Sequence, residues 1–411
     1  MHLVAMDIPL PLLLSTLAVA VTICYVLFFR ADKGRAPLPP GPRGWPVLGN
    51  LPQLGGKTHQ TMHEMSKVYG PVLRLRFGSS VVVVAGSAAV AEQFLRTHDA
   101  KFSSRPPNSG GEHMAYNYQD VVFAPYGPRW RAMRKVCAVN LFSARALDDL
   151  RGFREREAAF MVRSLADAAS GGGLVAVGKA ANVCTTNALS RAAVGLRVFA
   201  AAGTELGAKE FKEIVLEVME VGGVLNVGDF VPALRWLDPQ GVVARLKKLH
   251  RRFDDMMNGI IAERRAGAGT AGEEKEGKDL LGLLLAMVQE DKSLTGGEED
   301  RITDTDVKAL ILVTIYFVAG RTHADVDVKG GDFGLIPFGA GRRICAGLSW
   351  GLRVVTVTAA TLVHSFDWEL PTGQTPDKLN MEEAFSLLLQ RAVPLMVHPV
   401  PRLLPSAYEI A

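Results

Sequence analysis

Residues 338–347 read FGAGRRICAG. Glycine lets a backbone turn tightly and come close to a flat ligand, and Gly339, Gly341 and Gly347 supply it three times. Arg342 and Arg343 stand beside the single Cys345. Beyond the cysteine, apolar residues recur at Leu348, Leu352, Val355, Ala359 and Leu362, a spacing that marks one face of a helix. Cys345 is therefore expected at or just before the start of a buried helix. Unpaired N–H groups, the helix dipole and the arginines there favour a thiolate. One thiolate in a glycine-rich, electropositive pocket suits an iron ligand. A buried structural cysteine in a glycine turn fits the same residues.

The remainder of the chain limits what that cysteine can do. With 411 residues, 48% of them hydrophobic and 21% charged, a large core is possible. The net charge of +4 is mild, and no dense basic stripe with interleaved aromatics marks a nucleic-acid surface. Cys24, Cys137, Cys184 and Cys345 are far apart and form no CxxC pair, which speaks against a disulfide framework or a zinc knuckle and fits a reducing compartment. His59 and His63 have helical metal-ligand spacing, but no third ligand is near, so the residues read as an ordinary amphipathic face.

Residues 8–29 carry no charge over 22 positions. At about 1.5 Å per residue they reach about 33 Å, enough for a bilayer core. Basic residues follow the run at Arg30, Lys33 and Arg35. A retained single-pass anchor with the body in the cytosol is expected, over residues 1–30. A proline-rich stretch follows over residues 31–50 (APLPPGPRGWPVLGN from 36), which disfavours helix and reads as a linker or hinge.

In the body, residues 72–77 (VLRLRF) alternate and residues 81–85 (VVVVA) are β-branched, which predicts a hairpin. Helical periodicity dominates thereafter: residues 88–98, 144–169, 209–221 and 243–265 each predict a helix. Residues 266–278 are small, acidic and aperiodic, as a solvated loop is. Residues 304–320 (DTDVKALILVTIYFVAG) predict a helix capped by Asp304 or Thr305 and apolar almost all round, hence buried. The class expected is mainly α with a small β-sheet region.

Phe338, Gly341, Arg343, Cys345 and Gly347 match FxxGxRxCxG, and the chain thereby resembles the cytochrome P-450 family. Trp130 and Arg134 match that family's WxxxR, and the anchor and PPGP stretch match its microsomal members. Residues 110–131, 227–241 and 326–330 look like plant flavonoid 3′-hydroxylases. The resemblance implies a haem b cofactor with Cys345 as the axial iron ligand. It further implies that Arg343, Trp130 and Arg134 meet the haem propionates, that Phe338 packs beside the cysteine loop between Gly341 and Gly347, and that the segment around 105–123 lines the substrate pocket. The implied reaction is NADPH-dependent hydroxylation of the flavonoid B-ring at the 3′ position. Electrons would come from NADPH–cytochrome P-450 reductase, in the endoplasmic reticulum membrane.

The family pattern breaks in one place. Its long central helix carries an acid–Thr pair, and here Ala319-Gly320 is followed by Arg321-Thr322-His323-Ala324. No oxygen-activating residue can be assigned. No glutamate lies between Gly320 and Cys345, so the family's ExxR helix is absent too, and Glu298–Arg301 fits those letters only by coincidence. Roughly a hundred residues are expected to be missing at the join, leaving residues 51–320 as the N-terminal part of an incomplete fold and 321–411 as its haem-binding C-terminal part. Two readings stay open: an enzyme by descent, or a membrane-anchored remnant that does not turn over.

Overall fold

The computed structural model describes residues 38–199, 206–267, 279–290, 301–316, 329–384 and 390–409, with five isolated positions before residue 38. The expected anchor over 8–29 and the join at 320–321 lie outside these residues. Among the described residues, no helix is long and apolar enough to cross a membrane. The chain divides into two compact units, Met1–Ser87 and Ala88–Ala411.

In the first unit, helix α1 (Thr58–Tyr69) precedes an antiparallel hairpin of β1 (Val72–Phe77) and β2 (Ser80–Ala85). Alternation places Leu73, Leu75 and Phe77 inside. The proline-rich stretch is no free spacer from Pro40 onward. The Arg74 N–H donates to the Pro40 carbonyl at 2.9 Å, and the backbone of Gly41 lies so close to Arg74 that a side chain would not fit. His59 and His63 both lie on α1.

The second unit is helical, as the 3.6-residue periodicity predicts. Its helices include α2 (Pro128–Asn140), α3 (Arg151–Ser170), α4 (Val177–Val194), α5 (Leu206–Gly222), α6 (Val242–Arg265), α7 (Leu280–Gln289), α8 (Asp304–Tyr316) and α9 (Leu348–Ser365). The predicted helix over 144–169 is two: Ala144–Asp149 and α3, parted at Leu150 where ψ turns to 8°. The helix over 88–98 changes from α (Ala88–Glu92) to π (Gln93–Thr97). A three-stranded antiparallel sheet joins β3 (Val175–Ala176) and β4 (Phe366–Glu369) across a central β5 (Met396–Pro401).

Helix α8 is buried on every side described: Val307, Ala309, Leu310, Ile311 and Leu312 are all at most 1% exposed. Its start differs from the expectation. Thr303, not Asp304 or Thr305, caps it: the Asp306 carboxylate accepts from Thr303 N–H and hydroxyl (2.9 and 2.8 Å), and the Thr303 hydroxyl accepts from Asp306 N–H at 3.3 Å. Arg129 of α2 donates to the other Asp306 oxygen at 2.5 Å. Helix α9 also differs. Its buried residues are Trp350, Val354, Thr358 and Ser365, not the predicted row at 348, 352, 355, 359 and 362. The buried row holds two apolar residues, Trp350 and Val354, beside Thr358 and Ser365, so hydrophobic periodicity points to the other face. Packing on α3 and α4 selects the buried row. Leu362 and Ala359 instead border an apolar cavity of about 270 Å³ with Val177, Val363, Trp368, Leu395 and Val397.

Candidate active site around Cys345

The cysteine loop runs into α9 through local hydrogen bonds that its glycines allow. Gly339 and Gly341 both take φ of +69°, the left-handed region. The Cys345 N–H donates to the Phe338 carbonyl at 2.9 Å, and Ile344 N–H to the Gly341 carbonyl at 3.1 Å. Gly347 differs: its φ is −85°, and it is the residue preceding α9. Its backbone acts on the Cys345 thiol, as expected of a helix N-terminus. The Phe338 ring lies over Gly351, where an added Cβ would come within 3.1 Å. Phe338 thus packs beside the loop through a notch that glycine keeps open.

The thiolate expectation needs correcting. Burial pushes the Cys345 thiol up from its usual pKa, and the opposing pulls of the Gly347 amide and Arg134 are smaller. A half-buried thiol has lost water, which had stabilised its charged form, and a single amide does not replace it. Ligation to a metal removes the proton outright.

The structure brings the motif residues together although more than two hundred positions separate them. The Arg343 guanidinium lies 4.4 Å from the Trp130 ring centre, and that of Arg134 lies 5.8 Å from it. Trp130 is buried on α2, and its indole N–H donates to the Val121 carbonyl at 3.0 Å. Arg343 donates to the carbonyls of Ser103 (2.7 Å), Val121 (3.3 Å), Val122 and Ala124. Arg134 is half-buried and makes no hydrogen bond or ion pair among the described residues. Burial first, then Arg105 and Arg134, lower the Arg343 pKa to about 10, with Asp120 acting the other way. Two further guanidinium groups and one carboxylate thus act on Arg343. Arg342 points away, pairing with Asp99 at 3.1 Å and donating to the Tyr126 hydroxyl at 2.9 Å.

Sequence reasoning missed Asp120. It is 1% exposed, accepts the Phe123 N–H at 2.8 Å, and leaves Oδ2 with no partner. In sequence it is one acid before a hydrophobic run. The segment expected to line a substrate pocket also borders a cavity of about 670 Å³. Glu112, His113, Tyr116 and Asn117 face Lys247, His250, Arg251 and Thr305 across it. Tyr116, Asn117 and Tyr118 all take positive φ there, a conformation held by two hydroxyls: Tyr116 donates to Asp254 (2.9 Å), and Tyr118 to the Asn108 carbonyl (2.9 Å).

Comparison with known proteins places this geometry. The Cytochrome P-450 family profile matches residues 39–322 and 324–397, two segments that part at His323. A flavonoid 3′-monooxygenase of Oryza sativa subsp. japonica is 61% identical, the match covering all of both chains. A flavonoid 3′-monooxygenase of Petunia hybrida is 41% identical over 97% of this chain and 99% of its own. A flavonoid 3′,5′-hydroxylase of Solanum melongena is 32% identical over 95% and 98%. The 61% match runs over 536 positions against 411 residues here, so 125 of its positions hold no residue of this chain. A zebra fish cytochrome P-450 structure with progesterone aligns at TM-score 0.62, with 15% identity, over 84% of this chain and 99% of that one, and so supports the fold alone. With its profile match on both sides of the join and its cysteine loop set against Trp130 and two arginines, the chain belongs to the cytochrome P-450 family.

Proposed function

We propose that this chain derives from a flavonoid 3′-monooxygenase, an NADPH-dependent haem-thiolate enzyme hydroxylating the flavonoid B-ring at the 3′ position. The observation that carries this reading is the 61% identity over the full chain to a protein of that name, together with an intact FxxGxRxCxG loop. The residues present fit a haem in kind. One thiol is available at the start of α9, Arg134 acts on it, and Arg343 two residues before it is itself opposed by Arg105 and Arg134, a surplus of positive charge that a ligand bearing carboxylates would neutralise. Arg134 has its donors free among the described residues. For Arg343 and Trp130 to reach carboxylates they would have to exchange bonds now made to backbone carbonyls.

In this reading the Cys345 sulfur would hold the haem iron, with the Gly347 amide steadying it. Arg343, Arg134 and Trp130 hold the propionates, Arg through its fork of donors and Trp through one N–H. Gly341 and Gly347 bound the loop that carries the thiolate, and Phe338 fixes it against α9. The haem, when bound, supplies oxygen activation, which an electron-rich thiolate favours. NADPH, through cytochrome P-450 reductase, would be the source of its electrons. The apolar run over 8–29 supports a single-pass anchor in the endoplasmic reticulum membrane with the body in the cytosol.

A second reading concerns turnover. The 125 absent positions supports a chain that keeps the lineage's thiolate loop and lacks its acid–Thr pair and ExxR brace, a remnant without hydroxylase activity. The two are separated by experiment. A reduced, CO-bound difference spectrum of the expressed chain with a red-shifted thiolate band supports haem binding at Cys345, and loss of that band in C345A assigns it. Formation of a 3′-hydroxylated flavanone with reductase and NADPH would overturn the remnant reading, and its absence alongside an active full-length relative supports it.

A further inference from the structure

We propose that Asp120 is a positioning residue for Arg343: its buried carboxylate gathers the amides of the 120–124 turn, aims that turn's carbonyls at the guanidinium, and supplies the counter-charge. The same five residues serve both groups. Phe123 N–H donates to Asp120 Oδ1 at 2.8 Å, and the amides of Val122 and Ala124 also act on this carboxyl. With the Val122 and Phe123 N–H groups drawn to the carboxylate, the carbonyls on the same peptide planes, those of Val121 and Val122, face the other way, and both accept from Arg343, as does the Ala124 carbonyl. The turn is a two-sided adaptor with an acid inside and an arginine outside.

The charges call for it. Arg343 comes from the cysteine loop, Arg134 from α2, and Arg105 from the strand of chain before residue 109; the Arg105 Nε donates to the Val122 carbonyl at 3.4 Å. Arg105 and Arg134 both act against the charge of half-buried Arg343, and Asp120 is the acid acting for it. Its Oδ2 is buried without a hydrogen-bond partner, which is costly for a group held only for packing. Burial is the largest influence on this carboxyl and raises it to about 6, with the three amides and Arg343 pulling down. Asp120 therefore changes charge close to neutrality. Its meaning for function rests on the reading above, in which Arg343 meets a haem carboxylate; its geometry does not.

Trp130 reports on the arrangement, since Arg343 covers its ring and Val121 accepts its N–H. The test is the tryptophan emission of the purified full chain, without added haem, between about pH 4.5 and 8. The expected result is a step centred near pH 6 that is lost in W130F and in D120N. In R343Q the step moves to higher pH, because removing the cation makes the carboxylate harder to ionise. Lack of a step in the native chain, a step that survives W130F or D120N, or an unmoved midpoint in R343Q overturns the proposal. If D120N loses its far-ultraviolet circular dichroism, the R343Q midpoint decides. Haem is not needed, so this outcome is separate from that of the CO spectrum.

Discussion

At Gly341 the backbone takes φ +69° and passes so close to the Leu95 carbonyl that a Cβ would overlap its oxygen. The obstacle is backbone, which cannot rotate aside. We expect G341A to destabilise the folded chain by about 3 kcal/mol, seen as a lowered urea midpoint, and to abolish any haem uptake. Asp120 gives a second residue-level prediction. Between its usual value of 3.8 and about 6, the folded chain keeps a proton that the unfolded chain releases. Stability from this group is therefore fully present below about pH 4 and lost as pH rises through 6. The stability of D120N relative to the native chain should rise across that window by up to about 3 kcal/mol, measured by urea unfolding at both ends. Cys345, Arg343, Trp130 and Arg134 were legible because their spacing is a motif. Asp120 was not, since its role exists only once residue 343 has folded over it.

Helix α8 shows what an element needs beyond its own periodicity. Its apolar residues announced burial correctly, yet they say nothing about how the buried end is closed. The cap is a reciprocal pair, Thr303 with Asp306, and Asp306 is fully buried while Arg129 reaches it from α2. Since α2 also carries Trp130 and Arg134, this contact ties the buried helix to the site. D306N keeps the shape and removes the charge that Arg129 and the Thr303 donors share. We expect a loss of about 1–3 kcal/mol, read as a lowered melting temperature, with T303A losing about 1 kcal/mol and the double mutant less than the sum. On α9 the periodic face was misread by rotation, because the row its neighbours bury includes Thr358 and Ser365, which hydrophobic periodicity does not mark.

The whole molecule carries the consequence of the 125 absent positions. A domain of this kind is stable by only about 5–15 kcal/mol, and in the remnant reading the brace behind the cysteine loop and the far end of the central helix would be missing. In that reading the faces that packed on those partners would be uncovered. We expect the 411-residue chain to melt over a broad range and to bind a hydrophobic dye. Inserting the matching block from the 61% identical relative after Gly320 should sharpen the transition and suppress the dye signal. A sharp, dye-free transition of the chain as it stands would show that it has rearranged around the loss.

By itself the sequence determined the family and the helical class and singled out the cysteine loop, since each is a local spacing of residue types that survives without coordinates. Tertiary structure decided which face of α9 is buried, that the thiol is raised by lost water, and that Asp120 and Arg343 grip the same turn from opposite sides. Those depend on distances between residues far apart in the chain, and burial, which sets both the packing face and the charge of a group, is a property only of the assembled fold.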